Sequence, residues 1–344
     1  MKKTLKAAVA LSVLAAPAYA ANLENPLYMP KQGAMYSKTS VGLMYKIADD
    51  TTAMVNKGHD GATEFPIWRL HEDLGYGITD RLEAYAKVGY THDDDIDRKG
   101  MHQGRVGLKY RAFETTDGFA WDVYADAHLG GVSPMSGSYG LNGFDYDNYS
   151  NGRWGFHAGT QVGKTWSKFT SAMFFEVLQT FGNDNNEIDI SKSQLAPYVA
   201  MGVLPDEISV DLKSTTEFNA GLKTFYQIDD RWSVGAGFTF KHHEDNGVEG
   251  LATSINGDQL VPYVVGGAMV NVPLNTIVSA LETQLEDMND GFDEYIISLS
   301  GSYQLTDATQ VSVYGEYTFD DAHNGSQNGT DVKAELGVRV NVQF

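Results

Sequence analysis

Between residues 83 and 128, and again between 316 and 339, ionisable side chains recur at even spacings instead of in runs. Arg105, Lys109 and Arg111 form a basic series, Asp122, Asp126 and His128 a mainly acidic one, and Glu83 with Lys87 a mixed pair; Glu316 and then Lys333, Glu335 and Arg339 follow near the end of the chain. In an extended strand alternate side chains point the same way, so each set projects from one face. Two chemistries fit such a face. Charges that face one another across a water-filled passage set up a transverse field that orients polar solutes and discriminates between ions. Charges on adjacent strands also pair, and so keep a polar surface satisfied. The same residue types serve both, and these twelve are the candidate pore-lining residues.

The elements that carry them read as long strands. From Val332 to Phe344 every even position is apolar (Val332, Ala334, Leu336, Val338, Val340, Val342, Phe344), and the odd positions are Lys333, Glu335, Gly337, Arg339, Asn341 and Gln343. Thirteen unbroken residues exceed the usual soluble strand of about five to six and match the about nine to eleven needed to cross a bilayer at a tilt. The same alternation returns at Leu82–Tyr90, Phe119–Ala127, Trp232–Phe240 and Val311–Phe319. One face is apolar with large residues, and the other carries Gly, Thr, Asp, Lys and Glu. That assignment favours apolar faces toward lipid and polar faces toward a lumen. Short turns (Thr79-Asp80-Arg81, Glu114 to Gly118, Asp229-Asp230-Arg231, Pro273-Leu274-Asn275, Thr306-Asp307-Ala308) alternate with long connections near 49–62, 93–101, 130–152, 182–213, 243–258, 287–293 and 320–331.

Composition agrees with an all-β chain: 36 Gly and 19 Tyr in 344 residues, with only 20% charged. A net charge of −20 opposes a nucleic-acid partner, which needs clustered Lys and Arg. The absence of cysteine rules out disulfides, thiol nucleophiles, zinc–thiolate sites and a lipoprotein anchor. Lys2, Lys3 and Lys6, the apolar run Ala7–Ala16 and Ala18-Tyr19-Ala20 have the form of a secretory signal peptide over residues 1–20, and its removal takes the charge to −23. The run is too short to span a bilayer as a helix.

A terminal strand ending on Phe344 resembles the C-terminal signature by which Gram-negative outer-membrane β-barrels are recognised by their assembly machinery. The resemblance covers essentially the whole mature chain. It implies an exported protein in the cell outer membrane, a transmembrane antiparallel up-and-down β-barrel with turns on the periplasmic rim and loops outside, and outer-membrane lipid and lipopolysaccharide as surroundings. Counting spans from Thr39 gives about 14 strands, with 12 or 16 as alternatives. Sixteen follows if residues 194–204 are a strand, since Gln194-Leu195-Ala196-Pro197-Tyr198-Val199 repeats the form of Gln259-Leu260-Val261-Pro262-Tyr263-Val264. Against it, Ile208 to Ile228 keeps one parity, as a single long strand does. Residues 182–206 are then a structured loop that folds inward or over the mouth. Residues 21–32, with Pro26 and Pro30, form an extended periplasmic lead-in or a short plug, and 33–344 the barrel.

Excess acid lies in the loops: Asp93–Asp95 and Asp97, Asp145 and Asp147, Asp184, Glu187 and Asp189, Glu244, Asp245 and Glu249, Glu286, Asp287, Asp290, Asp293 and Glu294, Asp320, Asp321 and Asp331. Such carboxylates suit divalent cations or a solvated rim. The Asp287-Met288-Asn289-Asp290-Gly291 stretch lacks the remaining ligand spacing of a calcium loop. Enzymatic readings are poorly served. Outer-membrane omptin proteases resemble this layout in carrying Asp and His on the rim, but His92 with Asp93–Asp95 and His242-His243-Glu244-Asp245 show no diagnostic spacing. Ser150-Asn151-Gly152 shares three residues with the outer-membrane phospholipases, whose motif places His where Asn148 stands, so the serine lacks its base. No catalytic residue, cofactor or metal is expected. Tyr45, Tyr76, Tyr110, Trp121, Trp154, Trp166, Phe169, Trp232, Tyr303 and Phe344 fall near strand ends and read as an interfacial girdle.

The leading expectation is a passive, porin-like channel for small hydrophilic solutes or ions. A structural or adhesive surface barrel, with acidic loops and a lumen closed by residues 182–206, is the second. A hydrophobic-solute transporter is the third, suggested by the strand count and by Val261, Val265 and Met269 on a face that should be polar.

Overall fold

Twelve of the seventeen strands close into one antiparallel barrel in the computed structural model, which describes residues 22–48, 66–93, 98–129, 154–189, 199–200, 202, 207–244, 248–251, 260–265, 268–277, 279, 292–322 and 331–344. The barrel strands are β1 (Met35–Ala48), β2 (Ile67–Thr79), β3 (Leu82–Asp93), β4 (Arg98–Glu114), β5 (Phe119–His128), β6 (Gly155–Trp166), β7 (Phe169–Thr180), β10 (Thr215–Gln227), β11 (Trp232–His243), β15 (Phe292–Thr306), β16 (Thr309–Ala322) and β17 (Asp331–Gln343). Each pairs with its neighbour, and β17 closes the cylinder on β1 from Tyr36↔Gln343 to Ala48↔Asp331. The remaining strands are β8 (Asn183–Asp189), β9 (Glu207–Leu212), β12 (Val248–Leu251), β13 (Leu260–Val265) and β14 (Ala268–Pro273). They form a three-stranded sheet, β12-β9-β8, and a hairpin, β13-β14, outside the closed sheet.

Length separates the two groups. Barrel strands run from 10 to 17 residues, whereas the others run from 4 to 7. Only the first group reaches the span a tilted bilayer strand requires. The count is therefore twelve, the lower alternative, and not fourteen. Leu260–Val265 and Ala268–Pro273 are two six-residue strands paired from Leu260↔Pro273 to Val265↔Ala268, and not one span. Pro273-Leu274-Asn275, expected as a turn between spans, opens a helical turn instead. Val261, Val265 and Met269 consequently belong to a hairpin that is not part of the barrel sheet. The long strand expected from Ile208 to Ile228 breaks at Lys213-Ser214, where β9 leaves for the outer sheet.

The barrel is apolar outside and polar inside. On β17, Leu336 is 64% exposed and Val338 is also exposed, while Lys333 and Asn341 on the other parity are buried. Met173, Val106, Leu108, Leu299 and Val313 repeat the outward exposure elsewhere. A contiguous apolar surface of this kind is lipid-facing. Among the described residues no helix is long and apolar enough to cross a membrane. Aromatic side chains edge the belt: Trp166 stacks on Phe169 at 5.9 Å, and Trp232 meets Tyr303 at 4.7 Å, both beside short turns.

Five short turns and both ends of the barrel share one rim. They join β2–β3, β4–β5, β6–β7, β10–β11 and β15–β16, and Met35 and Phe344 exchange backbone hydrogen bonds of 3.2 and 2.8 Å there. In the β10–β11 turn the Asp229 carboxylate accepts from the amides of Arg231 and Trp232, both at 2.8 Å. Those two backbone donors, Trp232 first, hold its carboxyl below the usual range. The other six connections lie on the opposite rim, and the outer sheets fall within two of them.

The segment before β1 enters the barrel at Gly77. The amide of Gly33 donates to the Gly77 carbonyl at 2.8 Å, and the Gly77 amide donates to Ala34 at 2.9 Å. A Cβ at Gly77 would lie 2.1 Å from the Lys31 carbonyl oxygen, a backbone atom that cannot swing aside. Gly77→Val is therefore expected to lift this segment from its seat. Tryptic cleavage at Lys31 in the folded, detergent-solubilised barrel should accelerate by about tenfold, because local opening governs such cleavage. An unchanged rate would show that the seat does not depend on this contact.

Candidate functional site

Residues 22–32 occupy the lumen near the turn rim. Asn22 and Asn25 fold their side chains onto the amides of Glu24 and Leu27, at 3.1 and 2.9 Å, and Pro26 and Pro30 keep the chain from becoming a helix. The carbonyls of Leu23, Pro26, Leu27 and Tyr28 are bonded by the wall. Lys38 on β1 donates to Leu23 O (2.8 Å), Lys109 and Arg111 on β4 to Tyr28 O (3.0 Å) and Leu27 O (2.6 Å), and Gln161 on β6 to Pro26 O (2.6 Å). Asn22 reaches Gln227 on β10 and Ser233 on β11, at 2.8 and 3.1 Å. Glu24 closes the ring: Arg339 approaches it at 3.1 Å, Asn341 at 2.7 Å and Ser312 at 3.1 Å. Burial pushes the Glu24 carboxyl up, but Arg339 and Lys38, with the Asn341 and Ser312 hydrogen bonds, outweigh it and hold it below the usual range.

The twelve candidates take different places on the inner face. Arg111 binds Asp122 through two bonds of 2.8 and 3.2 Å, and Lys109 lies 3.4 Å from the same wholly buried carboxylate. This trio carries the N-terminal segment. Asp126 accepts from Tyr85 (2.6 Å) and contacts His157 Nδ1 (2.7 Å), in a buried cluster with Glu176 and Tyr124. Arg105 and His128 face each other across β4 and β5; His128 is buried, and its two ring nitrogens have no hydrogen-bond partner among the described residues. Glu83 accepts from Tyr36 at 2.5 Å. Lys87 projects inward over the Tyr85 ring at 5.6 Å. Lys333 pairs with Glu294 (3.2 Å), Glu335 with Arg69 (3.3 Å) and Tyr314 (2.8 Å), and Arg339 with Glu24.

A cavity of about 340 Å³ lies beside the N-terminal segment. Glu83, Lys87, Lys109, Glu316 and Arg339 line it, whereas Arg105, Arg111, Asp122, Asp126 and His128 do not. A smaller cavity of about 130 Å³ is lined by Arg69, Lys241, Lys333, Glu294, Glu316 and Glu335. Glu316 borders both. Glu294, placed by its sequence among loop acids, is instead buried on β15, where His243 (2.9 Å), Lys333 (3.2 Å) and Lys241 (3.6 Å) surround it. Of the other acids expected in loops, Asp93, Asp293, Asp320, Asp321 and Asp331 lie near the ends of barrel strands, Asp184, Glu187 and Asp189 on β8, Glu249 on β12 and Glu244 just after β11; the rest lie outside the described residues, as do residues 1–20, expected as a signal peptide, Asp287 to Gly291 and Tyr149 to Gly152.

The larger cavity also contains residues that alternation in the sequence left unmarked. Lys223 shares a strand with outward Leu222 and Tyr226, so its inward parity was readable, but its pairing with the cavity was not. Lys38 was likewise readable from β1. Glu176 was hidden because Phe174 and Phe175 put aromatic rings on both faces of β7. One wall is nearly bare: Gly235, Gly237, Ser298 and Ser300 face the cavity from β11 and β15. The arrangement can therefore bind, orient and pass polar or charged groups.

No family profile matches this sequence, and no curated protein sequence does. Solved structures do match in shape. The Pseudomonas putida toluene transporter TodX aligns over 90% of this chain and 89% of its own, with a TM-score of 0.40 and 7% identity. The NanC porin aligns over 87% and 98%, with a TM-score of 0.43 and 8% identity. An outer membrane channel from Pseudomonas putida F1 aligns over 94% of this chain and 99% of its own, with a TM-score of 0.55 and 13% identity. With its lipid-facing belt and closed twelve-stranded wall, the chain has the fold of an outer-membrane β-barrel.

Proposed function

We propose that the protein is a narrow outer-membrane channel for small polar or ionic solutes, with its turn rim toward the periplasm. The observation that carries this reading is the charged cavity of about 340 Å³ inside a membrane-spanning wall, bordered by the N-terminal segment. A lumen so dense in ion pairs admits hydrated solutes, and its field acts on any that carry charge. The segment from 22 to 32 leaves a passage against the bare β11–β15 wall, which favours small solutes over disaccharides. The adhesive reading placed residues 182–206 across the lumen; of these, Asn183–Asp189 form β8, and residues 190–198, 201 and 203–206 lie outside the described residues. The hydrophobic-solute reading loses its sequence motive, since Val261, Val265 and Met269 are not in the wall.

Liposome swelling tests the proposal. Vesicles carrying the refolded protein should swell in arabinose and glycine and much more slowly in sucrose. No swelling in any hydrophilic solute, with uptake of toluene instead, would replace this reading with the hydrophobic-solute one.

A further inference from the structure

The larger cavity is lined by five cations, and three are already committed. Lys38 donates to Leu23 O, Lys109 to Tyr28 O beside Asp122, and Arg339 pairs with Glu24. Lys87 and Lys223 have no ion pair or hydrogen bond among the described residues, although Asp73 and Glu176 line the same cavity. Their ammonium groups rest only near ring faces, Lys87 over Tyr85 at 5.6 Å and Lys223 over Phe174 at 4.7 Å.

Topology sets the two lysines against each other. Lys87 is on β3 and Lys223 on β10, five strands apart one way round the twelve-stranded wall and seven the other. They stand on nearly opposite walls. Register makes one wall basic at this level: Lys38, Asp73, Lys87, Arg105 and His128 follow one another as direct cross-strand partners on β1 to β5. Three cations there share one carboxylate. On the other side Lys223 stands beside Gly237 and Ser298, which leave space and a hydroxyl. Of the cavity carboxylates, Glu24, Glu83 and Glu176 are held by Arg339, Tyr36 and Tyr124. Glu316, on β16, lies in the cross-strand row of Ser298, Gly237 and Lys223 and makes no ion pair with either lysine among the described residues.

We infer that Lys87 and Lys223 form an anion site in the lumen, at which the carboxylate of a small organic acid is held between opposite walls while its hydroxyl groups meet Ser298 and Ser300. This rests on the channel reading and names its solute class. The two ammonium groups face one cavity with no carboxylate in ion-pair contact among the described residues, and a carboxylate entering from solution supplies that contact. The bare Gly and Ser wall gives the remainder of the solute its room.

Calorimetry on the detergent-solubilised, folded full chain tests the site independently of conduction, with glucuronate, glucose and glucosamine as probes of one ring size. Glucuronate should bind more tightly than glucose, and glucosamine should not bind. K87Q and K223Q should each weaken glucuronate binding by about tenfold, as expected for loss of one charge-assisted hydrogen bond, with the double variant losing it. Binding of glucosamine equal to that of glucuronate, or glucuronate binding unchanged in K87Q/K223Q, would overturn the inference. In planar bilayers the same double variant should move the reversal potential in a KCl gradient from chloride toward potassium preference. If no protein conducts, the channel reading fails while the calorimetric result still decides the site.

Discussion

Deleting residues 22–32 should raise the single-channel conductance of the refolded barrel by about threefold or more, because the segment occupies lumen cross-section that no barrel strand uses. The expectation follows from where its bonds go. Carbonyls of Leu23, Pro26, Leu27 and Tyr28 are held by Lys38, Gln161, Arg111 and Lys109, so the segment spans the lumen from β1 to β6. The barrel wall closes through β1 and β17 without it, and the deletion should leave the folded barrel intact by heat-modified gel mobility. Glu24→Gln is the milder form. It removes the charge that Arg339 pairs with at 3.1 Å, and intermittent openings to the larger conductance should appear at neutral pH. The pH dependence has a definite sign. The bound Glu24 carboxyl is held below the value it has when released, so its anchoring is complete above the released value and is lost as pH falls through the bound one. Wild-type conductance should be steady from pH 7 to about 4.5 and should rise only in stronger acid. A rise beginning at pH 6 would assign the opening to histidines instead.

Arg111→Ala should cost about 3 kcal/mol in urea unfolding followed by tryptophan fluorescence, the lower end of what removal of one partner of a buried pair costs. Asp122 has no exposed surface, and without Arg111 its carboxylate keeps only Lys109, 3.4 Å away. The lost bond to Leu27 O adds about 1 kcal/mol, and the N-terminal segment loosens as well. A paired Arg111→Leu and Asp122→Leu change should be less costly than the single Arg111→Ala, since no charge is left unmatched. Lys164→Gln, in the exposed pair with Asp117 at the β4–β5 turn, is the control and should leave the unfolding midpoint unchanged. Equal losses in all three would mean that the buried pair is no more valuable than a surface one.

The barrel itself was legible in the sequence because lipid on one side and water on the other impose a strict period of two, and Val332 to Phe344 shows it without a break. Strand number was less legible. Leu260 to Pro273 alternates as a membrane strand does, and only its length after division between Val265 and Ala268 separates a six-residue hairpin from a span. Inward charges were legible by parity, but their partners were not. Arg111 to Asp122 is a neighbour-strand contact and follows from one turn, whereas Arg339 to Glu24 joins residues 315 apart in sequence and depends on the N-terminal segment turning into the lumen. Glu294 was misplaced for a related reason. It adjoins the acidic run ending at Asp293, and nothing local shows that β15 begins at Phe292.

The central claim is that a polar passage crosses the membrane inside this wall, narrowed by the N-terminal segment. Single-channel recording in planar bilayers tests it most directly, with wild type and the 22–32 deletion compared in the same KCl solution. Small discrete steps in wild type and larger discrete steps in the deletion are the predicted result. A silent membrane with both proteins, each shown to be folded and inserted, would contradict it.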